Sequence, residues 1–132
     1  MSIGNIEERA PQRVVRVERT PERELDWGFM QWVCSGTLFP DAQVTVGYVE
    51  MNPGAGNPRH LHPNSDEVLF LIEGSLEHSL GDEVFQMSAG SSIHVPRSVP
   101  HGAANHGTVV ARMVVAYPTA QREVVLPEEG QE

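Results

Sequence analysis

The sequence predicts an all-β sandwich or barrel, and three observations carry that prediction. Short segments rich in Val, Ile, Phe, Tyr and Thr recur along most of the chain. Gly, Pro, Asn and Asp break them at short intervals. No apolar repeat of helical period runs for a useful length.

Residues 1–24 form an N-terminal arm. They are rich in Arg and Glu, carry Pro11 and Pro21, and hold one apolar stretch, Val14 to Val17. A short strand over residues 14–18 is expected there, paired onto another element. The barrel follows over residues 25–118. Its first strand spans 26–35 and closes at Gly36 and the Pro40-Asp41 turn. Residues 42–51 alternate, with Val44, Val46 and Tyr48 on one face and Thr45, Gly47 and Val49 on the other. A Pro/Gly loop over 52–58 leads to a short strand at 59–62. Residues 67–73 read as a buried strand ending at Gly74, and 76–80 and 83–87 as a hairpin around Gly81-Asp82. Strands at 92–95 and 109–116 complete the set. Residues 119–132 form an acidic tail.

Eighteen acidic residues against nine basic ones give 132 residues a net charge of −9. A polyanion repels nucleic acid and acidic membranes, so neither is expected as a partner. Every basic residue is arginine, which excludes a Schiff-base lysine and a P-loop lysine. Cys34 stands alone, cannot form an internal disulfide, and reads as a buried small hydrophobe. The chain shows no signal-peptide pattern and no run of about 18 apolar residues. It is expected to be soluble and cytoplasmic.

The chemistry concentrates in residues 54–74, GAGNPRHLHPNSDEVLFLIEG. His60 and His62 are two apart, so on a strand both imidazoles point to one face. Glu67 opens the next strand after a short loop, and an antiparallel return brings its carboxylate level with the rings. His101, in the segment GSSIHVPRSVPHGAAN, offers a third imidazole. Three neutral imidazoles and a carboxylate suit Fe, Mn, Co, Ni, Cu or Zn. His78 reads as a solvent-facing strand residue. His94 faces either the cavity or the outer surface.

These residues resemble the cupin superfamily, in its small single-domain form. The first cupin motif is met by Gly54, His60, His62, Glu67 and Gly74, and the second by Gly90, Pro96, His101 and Asn105. Ser98 stands where the second motif has a glycine, a position of tight turn and positive φ. The resemblance implies a double-stranded β-helix, or jelly-roll, barrel. It also implies one divalent first-row metal ion per chain on His60, His62, Glu67 and His101, and a homodimer. The arm, through Val14, Val15 and Val17, is the element expected to cross to the partner.

Cupins host many reactions on one barrel, so the cavity wall decides function. Four protein ligands leave an octahedral ion two open positions, enough for a dioxygenase-like reaction or for Lewis-acid isomerisation or lyase chemistry on a small organic molecule. With Glu67 inward, Leu69 and Leu71 share its face and favour a partly apolar ligand over a free sugar. Tyr48, Glu50 or Met51, and Met30, Trp32 or Cys34, are further possible liners. One of Arg112 and Met113 must face in. Glu67 itself, Tyr48 or His94 could act as the base. Two other readings stand beside the enzyme: a non-catalytic small-molecule-binding or sensing module with a structural metal, and an interaction arm that modifies another enzyme.

Overall fold

The computed structural model describes residues 13–126. Among them, nine strands follow a single 3₁₀ turn at Pro21–Arg23: β1 (Glu24–Leu25), β2 (Gly28–Cys34), β3 (Thr45–Met51), β4 (Glu67–Glu73), β5 (Ser75–Leu80), β6 (Glu83–Ser88), β7 (Ser92–Val95), β8 (His101–Ala104) and β9 (Ala111–Tyr117). They form an antiparallel six-stranded sheet, β1-β2-β3-β9-β4-β7, and a three-stranded sheet, β6-β5-β8. Bridges from Gly56 to Ala104 and from His60 to His101 add the segment before β4 to the edge of the smaller sheet. The result is the jelly-roll barrel that the motifs imply.

Alternation decides which side chains fill it. On β3, Thr45, Gly47, Val49 and Met51 are buried, and on β9 Ala111, Met113, Val115 and Tyr117. Register pairs Val49 with Met113 and Leu69 with Val115, so the inward rows of β3, β9 and β4 meet in one layer. Leu71, Leu76 and Met87 close the core from the far end. Gly47 makes room within this layer, since a Cβ there would lie 2.9 Å from the Trp32 ring. Its absence lets the indole lie across β3 beside Tyr117, with ring centroids 6.3 Å apart.

The outer face of the larger sheet carries the opposite set. Tyr48, Glu50 and Arg112 are joined there: the Tyr48 hydroxyl donates to Glu50 at 2.7 Å, and Arg112 donates to Glu50 at 2.6 Å and to the Tyr48 oxygen at 2.9 Å. Arg19 adds a further cationic contact to Glu50 and lays its guanidinium 3.7 Å over the Phe29 ring. The described part of the arm is thus fixed by side chains. The strand expected at 14–18 does not form, since its backbone finds no ladder. Residues 1–12 lie outside the described residues.

Two loops differ from the sequence expectation. Residues 101–104 form β8 although His-Gly-Ala-Ala has little strand preference; pairing with β5 imposes the conformation. Residues 119–126, read as the start of an acidic tail, cross the barrel mouth. Ala120 O accepts from Gly36 N–H at 3.0 Å, Thr119 O from the Thr45 hydroxyl at 2.6 Å, and Val125 bridges Leu61. The second motif's substituted position behaves as its glycine would: Ser98 has φ 69°, the one positive φ outside glycine among the described residues. No helix of the described residues is long and apolar enough to cross a membrane.

Candidate metal centre

Three imidazoles and one carboxylate meet inside the barrel. His60 and His62 come from the segment bridged to β8, Glu67 opens β4 and His101 opens β8. His60 N–H donates to His101 O at 2.9 Å and His101 N–H returns to His60 O at 2.8 Å, which locks these two residues side by side. Their ring centroids are 4.3 Å apart, and His62 lies 5.0 Å from each. One ligand atom from each of the four residues lies within 4.8 Å of the others.

The backbone sets which nitrogen faces the centre. His60 Nδ1–H donates to Pro58 O at 2.7 Å, His62 Nδ1–H to Glu123 O at 2.9 Å, and His101 Nδ1–H to Val99 O at 2.9 Å. A carbonyl only accepts, so each Nδ1 carries a proton and each neutral ring keeps its lone pair on Nε2. Yet His62 Nε2 and His101 Nε2 lie 3.0 and 3.1 Å from the same Glu67 Oε1. Lone pairs facing at that range repel unless positive charge lies between them. Protonation would need an extra proton on each ring; a single cation among all four donors meets the same need. The donor set and its carbonyl supports therefore fit a divalent metal ion.

Protonation favours ligation. Burial drives the His60 pKa down to about 4, so the ring is neutral at pH 7. Burial alone would raise Glu67, but without a metal the positive charge needed between its Oε1 and the facing rings comes as protons on those rings, and the hydrogen bonds and charge of His101 and His62 then outweigh burial and hold the carboxyl at about 2. Glu67 is thus an ionised ligand and a weak base.

Beside the four donors lies a cavity of about 200 Å³. Its wall is largely apolar, with Met30, Val49, Met51, Leu69, Met113 and Val115. Of the possible liners named from the sequence, Met30, Met51, Leu69 and Met113 face it, while Leu71 is buried in the core behind. Tyr48, Glu50 and Arg112 do not, because strand parity puts them on the outer face. His94 is also turned away: it faces out from β7 and meets Asp66 at 2.9 Å. Neither Tyr48 nor His94 is placed to act as a base on a molecule in this cavity.

Polar liners outside the sequence reading include His78, Tyr117 and Arg122, with Asn57 beside them. His78, expected to face solvent, is 1% exposed and stacks on His101, with centroids 5.9 Å apart and planes 7° from parallel. It shares the inward parity of Leu76, a signal the hairpin sequence did contain. Tyr117 lies edge-on to His62 at 5.0 Å; burial and the Glu67 charge push its phenol well above the ordinary range, so it stays protonated. Its inward position follows once Met113 faces in, four residues earlier. Arg122 reaches the cavity from the crossing segment, and nothing local in the sequence marks it.

The chain matches the Cupin domain family over residues 47–117. It is 38% identical over 69 residues to tetracenomycin polyketide synthase protein TcmJ of Streptomyces glaucescens, covering 52% of this chain and 46% of TcmJ. It is 26% identical over 102 residues to protein SchB of Streptomyces halstedii, covering 77% of this chain and 74% of SchB. The chain thus spans about half of TcmJ and more of SchB. A structure of Bacillus subtilis oxalate decarboxylase, studied for its Mn(II) centres, superposes with a TM-score of 0.73 at 22% identity, over 78% of this chain and 29% of that one. Two motifs, a jelly-roll barrel and four converging donors agree with the family match: this chain belongs to the cupin-domain family.

Proposed function

We propose that this cupin is a metal-dependent enzyme acting on a small, mostly apolar, oxygenated organic molecule. The observation that carries the reading is the adjacency of a complete four-donor set to an apolar cavity of about 200 Å³. A divalent ion held by His60, His62, Glu67 and His101 supplies Lewis acidity and sites for neighbouring substrate oxygens, which serves either dioxygenase-like or isomerase and lyase chemistry. The Met, Val and Leu wall receives an apolar body. Tyr117, held as a phenol beside His62, offers a hydrogen-bond donor to an oxygen in the cavity. The similarity to proteins named for polyketide synthases supports an oxygenated carbon skeleton as substrate, and the Mn(II) centres of the structural neighbour support Mn as the first ion to try.

A non-catalytic binding module is the second reading, and one observation favours it. Tyr48 and His94, the side chains the sequence offered as bases beside Glu67, both lie outside the cavity, and Glu67 itself belongs to the metal set. The deciding experiment loads the protein with Mn, Fe, Ni or Cu and screens hydroxyketones, β-diketones, catechols and flavonols for O₂ uptake and product. Turnover abolished by both His62→Ala and Glu67→Ala establishes the enzyme. Stoichiometric metal and ligand recovered unchanged with every ion selects the binding module.

We further propose that the chain is a cytoplasmic homodimer joined through the outer face of β4. Val68, Phe70 and Ile72 form a row there, 44%, 45% and 47% exposed.

A further inference from the structure

We propose that Arg122 anchors the anionic end of the molecule this cavity takes, so that the ligand is an aromatic or otherwise apolar oxyanion, a carboxylate or an ionised phenol. The inference rests on the cavity being the ligand site and deepens that reading.

The segment around Arg122 is built to hold it. Residues 119, 120, 121, 123 and 125 are each tied to the barrel: Thr119 O to the Thr45 hydroxyl, Ala120 O to Gly36 N–H, Gln121 O to the Asn64 amide, Glu123 N–H to Asn64 Oδ1, and Val125 to Leu61. The chain is extended here, so Arg122, Val124 and Leu126 face one way, and all three line the cavity. The backbone of Arg122 is thus clamped on both sides while its side chain has no such tie.

What the guanidinium touches is informative. Its carbon lies 4.7 Å over the Trp32 ring and 5.2 Å over the Tyr117 ring. Stacking uses the faces of the planar group and leaves its N–H donors free in the plane. Among the described residues no carboxylate pairs with it, and its Nε is buried without a hydrogen-bond partner. The other arginine next to the donor set, Arg59, differs in this respect: it donates to Ser79 Oγ and Gly81 O. Arg122 is the cation that lines the cavity, on an aromatic platform that Gly47 makes room for, with its fork unengaged. A planar oxyanion is the partner such a fork matches, two parallel N–H···O bonds at once. The Met and Val wall then receives the rest of the ligand.

The test is calorimetric titration of the full chain, with metal and after chelation, using 2-naphthoate, its neutral isostere 2-naphthamide, and 4-nitrophenolate. Wild type is expected to bind 2-naphthoate at least about tenfold more tightly than 2-naphthamide in both forms. Arg122→Gln should remove that preference, and Arg122→Lys, which keeps the charge but not the fork, should keep only part of it. The relative affinity of 4-nitrophenolate tells whether the anchored oxyanion is a phenolate or a carboxylate. Equal binding of the two naphthyl probes, binding of neither, or a preference that persists in Arg122→Gln overturns the assignment. A preference that persists in Arg122→Gln but vanishes on chelation places the carboxylate on the metal, so the metal reading would stand while this one falls.

Discussion

His62 donates from Nδ1 to the backbone carbonyl of Glu123, 2.9 Å away, so a donor of the metal set is aimed by a residue from the far end of the chain. Glu123 is held in turn by Asn64, whose side chain accepts from Glu123 N–H at 3.0 Å and donates to Gln121 O at 2.9 Å. The metal set and the segment over the barrel mouth are therefore one mechanical unit.

That coupling predicts the effect of a substitution that touches neither metal nor ligand. Asn64→Ala frees the crossing segment and loosens the carbonyl that orients His62. Metal affinity should fall by roughly tenfold or more, the range typical for partners that orient metal ligands. Competition titration against a chelating dye measures it. Unchanged affinity would mean the Glu123 carbonyl does not aim His62.

The metal-free protein should lose stability in acid in two stages. His60 has a folded pKa of about 4 against an ordinary 6.5, so between those values the unfolded chain binds the extra proton. The stability from its neutral burial is complete above pH 6.5 and lost as pH falls towards 4. Glu67, at about 2 against 4.5, adds a second loss below 4.5. Melting temperature followed against pH should be flat above 6.5 and decline below it, with the first stage reduced in His60→Gln. A melting temperature that rose on acidification would contradict both assignments.

Ser98 sits at φ 69° while its N–H donates to His62 O at 2.9 Å, so the turn must keep this shape. A Cβ in that conformation costs on the order of 1 kcal/mol. Ser98→Gly should stabilise by up to about 1 kcal/mol, less the entropy glycine loses on folding, and Ser98→Val should destabilise by more than that. Chemical denaturation of the three proteins gives the order directly.

Phe70 lies at the middle of the outward row of β4, with Val68 and Ile72 on either side. If that row joins two copies, Phe70→Glu should yield a folded monomer by light scattering, with the far-ultraviolet spectrum of the wild type. A wild type that is already monomeric at micromolar concentration would remove the dimer.

Three of the four metal donors were legible because their geometry is local, and His101 through the resemblance to the second cupin motif. His60 and His62 share a face by the two-residue period of a strand, Glu67 follows across one short loop, and the spacing of the second motif fixes His101. The row Glu67, Leu69, Leu71 was legible for the same reason. The positive φ at Ser98 was legible only through the resemblance, since the second cupin motif has a glycine at that position. What period alone leaves open is which of two faces turns inward. Tyr48 or Val49, and Arg112 or Met113, are equivalent until β3 and β9 are paired and laid against the smaller sheet. Burial of His78 depended on the same choice in β5. The position of Arg122 has no local cause at all: it follows from hydrogen bonds to Asn64, Gly36 and Thr45 and from the gap at Gly47, all distant in sequence. The sequence by itself determined the all-β class and three of the donors, because short-range periodicity and turn chemistry encode both, while the jelly-roll barrel and the place of His101 were implied by the resemblance to the two cupin motifs. Only the tertiary structure decided the cavity, because its wall is assembled from contacts between segments that carry no information about one another until they pack.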